Sequence, residues 1–573
     1  MEKRWKIREH KISMDERVQQ PELLHPLVAA ILATRGCSTA ADIRSFLTPR
    51  LSEMIDPNLL LGMPSAVERL LLAHKNKETV CIYGDYDVDG ITGTSLLVSF
   101  LRATGFTCSY FIPNRFDDGY GLNAESIERI IAMGASLIVS VDCGITAVDE
   151  ATLCRTRGID LIIVDHHAPK EIIPDACAIL NPLQPGCGYP FKSLAGVGVA
   201  FNLLIALRSA LRDTGAFSGR VVPDLREYLD VVALGTIADV VPLVGQNRMY
   251  AFHGLKQLSS SRKPGILALK RVAGIPDDVS CGQVGFRLAP RLNAAGRMES
   301  AVPGVDLLLS EDAEESRMIA TDLDTANAER QAVERRIFDE ADAMIHAAGN
   351  VCDRRSIVLA SAHWHQGVVG IVASRLVERY HRPTILIALT DDGLGKGSGR
   401  SIPGFHLLDA LTSCSRHLER FGGHRYAAGV GLRADNVATF AESFEIEAAR
   451  RLMDVDLVPT LEIDAEVHPA DITTELALEL KRLEPFGAGN PEPVLMMRNL
   501  TVVERRVVGE GHVRLRLSRE KRSFTAIAFR MAEREIPGQI DIAFFPEINE
   551  WKGNSSVQLR IKDLRPAEFS HAT

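Results

Sequence analysis

The chain reads TVCIYGDYDVDG from Thr79 to Gly90. Its first apolar residues are typical of a buried strand, and three carboxylates at alternate positions follow that strand after Gly84. Carboxylates this close repel one another, so the cluster requires either solvating water or a bound cation. Taken alone, the pattern fits a solvated acidic turn and a metal site about equally well. The three carboxylates are Asp85, Asp87 and Asp89.

Length and composition describe a multidomain globular protein. The 573 residues predict about three or four domains of roughly 100–200 residues each. Hydrophobic residues make up 46% of the chain, which is enough for several cores. The formal net charge of −9 does not suggest a nucleic-acid binder, although a local basic stripe can coexist with it.

Cysteine usage and hydropathy predict a soluble, cytoplasmic protein. The ten cysteines form no CxxC pair, and several, such as Cys81, lie in apolar runs, which favours reduced thiols over disulfides or a zinc ribbon. The N-terminal residues MEKRWKIREHK are charged and lack the apolar core of a signal peptide. No apolar run approaches the ~18 residues that a membrane span requires.

Strand and helix patterns alternate after residue 79. Unbroken apolar strands separated by helices predict a parallel sheet with helices on both faces. Residues 1–75 carry helical spacing instead, and we expect them to pack on this α/β domain. The predicted strands are 79–84, 109–113, 136–142 and 160–167, and the predicted helices are 21–34, 39–47, 65–74, 90–104, 123–133 and 146–157.

Acidic and histidine side chains follow three of the predicted strands. The second group is Asp142, and the third is Asp165, His166 and His167. In parallel sheets the ligand crevice lies outside the carboxyl ends of the strands, so these groups are expected to meet. Asp239, in the apolar segment ALGTIADVVPL, fits a helix cap when considered alone, but metal ligation is favoured once the other acids are considered.

The residue types at this edge predict divalent metal ions. Carboxylate oxygens bind hard divalent cations, and imidazole shifts the preference toward manganese. Four or more aspartates with one or two histidines and no cysteine therefore suit a pair of Mg²⁺ or Mn²⁺ ions. Two such ions ~3.5–4 Å apart can activate a water and stabilise an in-line displacement at phosphorus. The residues predict phosphoester hydrolysis.

Ordered motifs resemble the DHH phosphoesterase superfamily. GDYDVDG, SVDCG, VDHH and TIADVVPL match its metal-site motifs in the same order. Four further motifs are similar to those of the single-strand exonucleases within that superfamily, and the resemblance covers roughly residues 30–570 and departs at no metal-ligand position. They are LNAAGRM at 292–298, HWHQGVVGIVASRL at 363–376, GKGSGRSIPGFHL at 395–407 and FGGHRYAAG at 421–429.

The resemblance also implies roles for individual residues. Asp165 is implied to be structural and to orient an imidazole, and His167 to face the scissile phosphate; the residues by themselves do not separate the roles of the two histidines. Asp85 is implied to be a further metal ligand or an outer-shell partner. The implied metal ligands are Asp87, Asp89, Asp142, His166 and Asp239.

Further phosphate contacts are predicted outside the metal site. The resemblance implies that Asn293 and Arg297 bind phosphate, whereas Arg287 and Arg291 fit either phosphate contacts or surface ion pairs. A second α/β unit, which resembles a DHHA1 domain, begins near Ser356. Its glycine-rich segment 395–399 is interpreted as a loop whose amides cradle an anion, with 422–424 as a second such element. By resemblance, Ser398, Arg400 and His424 would grip a terminal 5′ phosphate across a cleft from the metal site.

The C-terminal segment changes character. Short alternating strand patterns separated by turns predict a small closed β-barrel, and the resemblance implies an OB-fold. Residues 501–530 contain eight Lys or Arg and three Glu, a local balance of 8 − 3 = +5, which favours binding to a single-stranded backbone. The aromatic residues suit either base stacking or a core; they are Phe524, Phe529, Phe544, Phe545 and Trp551.

These observations predict an α/β protein of five parts. A mainly helical lead-in (1–75) precedes a parallel-sheet DHH catalytic domain (76–310), a linker helix (311–350), a smaller α/β DHHA1 domain (351–455) and an OB-type barrel (456–573). The resemblance implies a monomeric exonuclease that degrades single-stranded DNA from the 5′ end to 5′-mononucleotides in DNA recombination and repair. Its implied partners are a single-stranded-DNA-binding protein and a helicase. Two alternatives stay open: a DHH phosphoesterase of short oligonucleotides or cyclic dinucleotides, and a catalytically inactive nucleic-acid scaffold.

Overall fold

The chain folds into two compact units. The computed structural model describes residues 2–8, 24–115, 119, 121–218, 221–347, 349, 353–551 and 554–567. The smaller unit comprises residues 1–8 and 327–463, and the larger unit comprises residues 9–326 and 464–573. The larger unit is therefore built from two segments that are distant in sequence.

Strands and helices alternate through the first part of the chain, as the apolar patterns predict. The strands are β1 (Arg4–Ile7), β2 (Thr79–Gly84), β3 (Thr107–Phe111), β4 (Leu137–Val141), β5 (Asp160–Val164), β6 (Ala178–Leu180), β7 (Ile357–Ser361), β8 (Thr384–Leu389), β9 (Leu394–Arg400), β10 (Arg420–Gly423), β11 (Ala427–Arg433), β12 (Thr460–Ile463), β13 (Ala465–Glu466), β14 (Leu495–Val508), β15 (His512–Arg519), β16 (Arg522–Ala528), β17 (Gln539–Trp551) and β18 (Asn554–Pro566).

Helices cover the sheets and connect them. They are α1 (Pro26–Thr34), α2 (Ala40–Leu47), α3 (Met63–Asn76), α4 (Val88–Ala103), α5 (Ala124–Ala132), α6 (Val148–Arg157), α7 (Gly196–Asp213), α8 (Leu229–Ala238), α9 (Gly245–Ser260), α10 (Pro264–Val272), α11 (Cys281–Gln283), α12 (Ala289–Met298), α13 (Val302–Leu309), α14 (Ala313–Ala347), α15 (Val369–Tyr380), α16 (Leu407–Ser413), α17 (Val437–Arg451) and α18 (Thr474–Lys481). Residues 21–23 of the first predicted helix lie outside the described residues.

A five-stranded parallel sheet forms the centre of the larger unit. Its strand order is β3-β2-β4-β5-β6, so the chain progresses in opposite directions on the two sides of β2. The strands are apolar because helices bury both faces of the sheet, with α3, α4 and α7 contributing to one core and α5 and α6 to the other. In a sheet of this order the topological switch point, between β2 and β4, is where ligands bind.

The C-terminal part of the larger unit is a closed barrel. Strands β14, β15, β16, β18 and β17 pair in that order, and an additional pairing of β14 with β17 closes the ring. Alternate residues of each strand, such as Val513, Leu515 and Leu517, fill the interior. Closure removes the exposed edges that an open sheet would present.

The N-terminal segment does not pack as expected. Helix α3 does pack on the parallel sheet, through Met63 and Leu70. Helices α1 and α2 instead share the barrel core, where Val28 and Ile31 lie with barrel residues such as Phe544. The expectation was wrong for these two helices because apolar spacing shows that a face is buried but not which partner buries it.

The smaller unit is a second α/β layer. Its sheet has the order β10-β11-β9-β8-β7, with only β7 and β8 parallel. Strand β1 pairs in parallel with β12, so the start of the chain is a strand and not part of a helical lead-in. The glycine-rich segment interpreted as a loop is also a strand, β9, which pairs with β8 on one side and β11 on the other.

The predicted fold class is confirmed. The parallel sheet, the smaller α/β layer, the 35-residue helix α14 and the closed barrel all follow the predicted order. Within the described residues, none of the helices combines the length and the apolar character that crossing a membrane would require.

Candidate metal centre

The carboxyl ends of three neighbouring parallel strands converge at one edge of the sheet. Asp85 follows β2, Asp142 follows β4 and Asp165 follows β5. Since β2 and β4 flank the switch point, the first two carboxylates lie at the position where such sheets bind ligands. Asp239 reaches the same place from the C-terminal end of α8.

Helix N-termini fix two of the aspartates. Asp87 caps α4, and its Oδ1 accepts hydrogen bonds from the amides of Asp89 (2.8 Å) and Gly90 (3.2 Å). The Asp89 oxygens accept from the amides of Gly196 (2.6 Å) and Val197 (2.8 Å) at the start of α7. Both positions suit anionic side chains, because helix N-termini present unpaired amides and a positive dipole end.

The side chains form three overlapping groups that could each hold a metal ion. Within each group, one ligand atom from every residue lies within 4.8 Å of the others. His166 is central: its Nε2 lies 3.0 Å from Asp142 Oδ1, 3.6 Å from Asp239 Oδ2 and 3.7 Å from Asp89 Oδ2. The groups are Asp85–Asp87–Asp142, Asp89–His166–Asp239 and Asp142–His166–His167.

Several buried atoms of this cluster have no hydrogen-bond partner. They are Asp85 Oδ1, Asp142 Oδ1, His166 Nε2 and Asp239 Oδ2. Buried polar atoms without partners are costly, and all four atoms can act as metal ligands. A divalent cation would satisfy them together, so the residues fit Mn²⁺ or Mg²⁺.

The backbone at the cluster also departs from relaxed geometry. Asp142 has φ +62° and Val240, next to Asp239, has φ +61°, a region that residues with a Cβ rarely adopt. Strain of this kind persists where the surrounding structure over-determines it, commonly at functional sites.

Burial and mutual repulsion disfavour ionised carboxylates in the absence of metal. Burial, reinforced by the charge of Asp87, raises the pKa of Asp89 to about 7. Burial and the neighbouring charges of Asp89 and Asp87 raise the pKa of Asp239 to about 9, and burial also raises the pKa values of Asp85 and Asp142. Burial and the charge of His167 lower the pKa of His166 to about 4, so this imidazole is neutral and available as a ligand.

Asp165 and His167 form a different kind of pair. Asp165 Oδ1 lies 2.8 Å from His167 Nδ1 and accepts from the amides of His166 and His167, and its Oδ2 accepts from Ile145. Burial opposes ionisation of Asp165, but the bond to His167 outweighs it and lowers the pKa of the carboxyl. The same bond outweighs burial at His167 and raises the pKa of the imidazole. Asp165 is thus hydrogen-bonded to one imidazole, and its role as an orienting residue stays a prediction.

Helix α12 carries the predicted phosphate contacts beside the cluster. Asn293 and Arg297 lie one turn apart, and Asn293 Oδ1 accepts from the amide of Val88 at the start of α4 (3.2 Å). Arg291 is instead paired with Asp324 (2.8 Å), and Arg287 donates to the carbonyl of Gly274. For these two arginines the structure favours the structural alternative.

Ser398 and Arg400 lie close together in the smaller unit, but they lie on strand β9 and not on the predicted loop. Arg400 donates to Ser398 Oγ (2.9 Å), and a Cβ at Gly370, near the start of α15, would lie 2.8 Å from the same hydroxyl. The amides of 395–399 pair with β8 and β11, so the predicted backbone cradle is wrong. Likewise, 422 and 423 belong to β10, and His424 donates its amide to Ala427.

Most of the barrel aromatics are unavailable for stacking. Phe524, Phe544 and Phe545 are only 8%, 0% and 6% exposed and belong to the barrel core. Phe529 is 49% exposed and meets His512 edge to face. The side chain of Trp551 lies outside the described residues.

Two contributions to the centre have no local signal that predicts them from the sequence. The amides of Gly196 and Val197 hold Asp89 from 107 and 108 residues away, which no local pattern reveals. Arg115 lies over the ring of Tyr86, 5.2 Å from its centroid, and its charge acts on Asp85. In the sequence, Arg115 could have been noticed only as an arginine that follows an apolar strand.

Comparisons with known proteins agree with this architecture. Family models match as "DHH family, N-terminal domain" over residues 79–236, "DHHA1 domain" over 354–449 and "RecJ OB domain" over 463–563. Among curated proteins, the single-stranded-DNA-specific exonuclease RecJ of Bacillus subtilis is 40% identical over 99% of this chain and 71% of its own length. The protein of that name from Escherichia coli is 39% identical over 96% of this chain and 98% of its own length.

A solved structure is similar over nearly the whole chain. RecJ of Thermus thermophilus in complex with Mn²⁺ matches with a TM-score of 0.84 and 32% identity, covering 99% of this chain and 80% of that one. The same protein in complex with Mg²⁺ matches with a TM-score of 0.79 and 30% identity, covering 99% of this chain and 79% of that one.

Proposed function

The chain belongs to the RecJ family of single-stranded-DNA-specific exonucleases, and we propose that it hydrolyses single-stranded DNA from the 5′ end to release 5′-mononucleotides. The observation that carries the proposal is the set of buried ligand atoms without partners at the end of the parallel sheet. Those atoms suit two Mn²⁺ or Mg²⁺ ions, the cations in the solved complexes of the Thermus thermophilus relative.

The metal ligands in this proposal are six of the seven residues in the three groups, all except His167. They are Asp85, Asp87, Asp89, Asp142, His166 and Asp239. When bound, the ions would supply an activated water and charge stabilisation at the phosphorus. The amides of Gly196 and Val197 keep Asp89 aimed at the centre, so little reorganisation is needed when the strand arrives.

His167 lies beside the proposed metal ligands, with its Nδ1 3.9 Å from Asp142 Oδ1. Asp165 holds its Nδ1, which leaves Nε2 to donate to an oxygen of the scissile phosphate. Asn293 and Arg297, on α12 beside the start of α4, are proposed to bind the same phosphate or its neighbour. These side chains orient the phosphodiester for attack.

The smaller unit is proposed to recognise the strand end. Ser398, Arg400 and His424 offer a hydroxyl, a guanidinium and an imidazole to a 5′-terminal phosphate, and the start of helix α15 adjoins the first two. Replacing Arg400 by Met should reduce the preference for strands that carry a 5′ phosphate by about 10-fold or more. Competition between 5′-phosphorylated and 5′-hydroxyl strands measures that preference.

The barrel is proposed to hold the downstream strand. Its β14–β15 face presents the exposed arginines Arg506, Arg514 and Arg516. A basic face of this kind binds the backbone of single strands. We also propose that the enzyme acts in the cytoplasm as a monomer in DNA recombination and repair, with a single-stranded-DNA-binding protein and a helicase as partners.

The two alternatives are less well supported. A phosphoesterase of short oligonucleotides or cyclic dinucleotides does not require a basic barrel, because its substrate is too short to contact one. An inactive scaffold does not require the complete set of metal ligands that this chain contains. Cleavage confined to dinucleotides would favour the first alternative. Strand binding without cleavage in Mn²⁺ would favour the second.

End-labelled single strands test the proposal. With Mn²⁺, a 5′-labelled oligonucleotide should release a labelled mononucleotide at once, whereas a 3′-labelled one should shorten progressively. A chelator should abolish both reactions, and His166→Ala should do so without unfolding the protein. Immediate release of label from the 3′ end would contradict the proposed polarity.

A further inference from the structure

A buried arginine joins the barrel to the helices around the metal centre. Arg248 lies in α9, is only 2% exposed and forms no ion pair with any described carboxylate. Its guanidinium donates instead to backbone carbonyls of Phe46 (2.9 Å), Glu484 (2.7 Å), Leu483 (3.1 Å) and Pro485 (3.4 Å). It also stacks on the Phe46 ring, 3.8 Å from the centroid.

The carbonyls of Leu483, Glu484 and Pro485 belong to a loop that leads into the barrel, whereas that of Phe46 belongs to α2. We call residues 483–491, LEPFGAGNP, the junction loop. Asn490 is fully buried and ties this loop together by donating to the carbonyls of Leu483 (2.9 Å) and Pro485 (2.8 Å). Arg35, at the end of α1, donates to Asn490 and to the carbonyl of Pro491.

The junction loop also contacts the segment that carries Asp239. The amide of Leu243 donates to the carbonyl of Ala488 (2.7 Å). Two glycines of the loop pack so closely against the same segment that a Cβ at either position would be crowded. A Cβ at Gly487 would lie 2.7 Å from Leu243 Cδ1, and one at Gly489 would lie 3.0 Å from Pro242 Cβ. Asn247, also in α9, donates to the carbonyl of Pro242 (3.1 Å).

The buried guanidinium of Arg248 opposes any displacement of the junction loop relative to α9. Its donors are satisfied only in the observed arrangement, and a shift of the junction loop would leave a buried charge without partners. Burial, with the charge of Arg35, lowers the pKa of Arg248 to about 10, so the side chain stays protonated at neutral pH. The junction is therefore expected to be rigid.

We propose that Arg248 fixes the barrel relative to the metal centre, so that one single strand is bound by both sites at once. This inference rests on the proposed function. Two sites on one rigid body bind a shared ligand with a high effective concentration, which falls when the connection becomes loose. Arg248 would thus be a positioning residue: it sets the affinity for long strands without contacting them.

Arg248→Met tests the inference through the length of the substrate. The variant should raise KM for a strand longer than roughly 30 nucleotides by about 10-fold or more, while kcat stays unchanged. Its kcat/KM for a dinucleotide, which is too short to reach the barrel, should stay within about twofold of wild type. Fluorescence anisotropy in Mn²⁺, with a long labelled strand whose phosphorothioate linkages resist hydrolysis, should show the same loss of affinity.

Arg382→Met is the matched control. Arg382 is also buried, and it donates to backbone carbonyls of Arg354 (2.9 Å) and Leu457 (3.1 Å) in the smaller unit. Its replacement should lower the melting temperature without changing the ratio of KM values for long and short substrates. A long-strand KM and affinity within about twofold of wild type in folded Arg248→Met would overturn the inference.

Two further measurements keep the outcome decisive. If Arg248→Met does not fold, Arg248→Lys retains the charge but lacks the fork of donors, and it should show a smaller loss of the same kind. If the wild-type protein cleaves no strand, the proposed function fails, but the anisotropy measurement still tests the role of Arg248.

Discussion

The Asp239 carboxylate destabilises the folded protein until a cation binds it. Its Oδ2 is buried without a partner, and burial with the nearby acids raises the pKa to about 9. Asp239→Asn should therefore raise the free energy of unfolding of the metal-free protein at pH 8 by at least about 1.4 kcal/mol, the value of one pKa unit. The same change should lower exonuclease activity by about 100-fold or more. Thermal denaturation in chelator and an initial-rate assay in Mn²⁺ measure the two effects.

Asp165→Asn is the contrasting control for that prediction. Asp165 is even more deeply buried than Asp239, but its oxygens accept hydrogen bonds from His166, His167 and Ile145. Its pKa is lowered, so the ionised form stabilises the fold. Asp165→Asn should therefore destabilise the metal-free protein at pH 8. If both substitutions shifted the melting temperature in the same direction, the argument from unpartnered oxygens would be wrong.

Metal binding should depend on pH in a defined direction. Asp89, with a pKa of about 7, and Asp239, with a pKa of about 9, hold protons in the metal-free protein at pH values where the unfolded chain has released them. The folded state then binds more protons, so its stability falls as pH rises from about 4 through these values. Mn²⁺ must displace the protons, and its affinity should rise over the same range. Calorimetry in buffers of different ionisation enthalpy measures the protons released; a titration without proton release would contradict this account.

The sequence located the ligand-bearing residues but not the way they are held. Asp85, Asp142 and His166 were found because buried strands end at them, a local signal. The strand order that brings β2 and β4 together and the α7 amides that hold Asp89 depend on contacts across more than 50 residues. Such contacts leave no periodicity in a single sequence.

At the scale of elements, strand β9 shows how composition can mislead. Gly395, Gly397 and Gly399 indicate a loop on propensity alone. In the sheet they leave room for neighbouring side chains: a Cβ at Gly397 would lie 2.6 Å from Val430 and 2.9 Å from Ile387. Close approach, and not backbone freedom, explains these glycines.

The crowding at β9 predicts a position-specific effect. Gly397→Ala should lower the free energy of unfolding of the smaller unit by about 1–3 kcal/mol, because the added methyl group overpacks the sheet. Gly429→Ala, in the adjacent strand, is the control, since the nearest atom to its Cβ would be 4.0 Å away. Denaturant titration of both variants measures the difference. Equal stabilities would show that the sheet relaxes around the methyl group.

At the scale of the whole molecule, the barrel and the N-terminal helices should be stable only together. Val28, Ile31 and Leu32 are completely buried, and they lie in the barrel core cluster. A chain that lacks residues 464–573 but keeps α1 and α2 should expose these side chains and aggregate. A chain that lacks the barrel and also residues 24–50, but keeps β1, should remain monodisperse. Light scattering of the two truncated proteins checks the prediction, and aggregation of both would contradict it.

This arrangement could not be predicted from the sequence. The apolar spacing of residues 26–47 shows one buried face, and proximity along the chain favoured the α/β domain as its partner. The actual partner is more than 400 residues away, as is the partner of β1. Fold class followed from local patterns, whereas the pairing of distant segments did not.

The pairing of β1 with β12 has a consequence for biosynthesis. Arg4 and Thr460 are separated by 456 residues, so the first strand leaves the ribosome long before its partner exists. At roughly 5–20 residues per second, translation leaves that strand unpaired for about 20–90 s. The apolar faces of α1 and α2 stay uncovered for longer, because the barrel that buries them is translated after β12. During this interval the nascent chain carries an unpaired strand segment and two helices with uncovered apolar faces, the features that holdase chaperones cover.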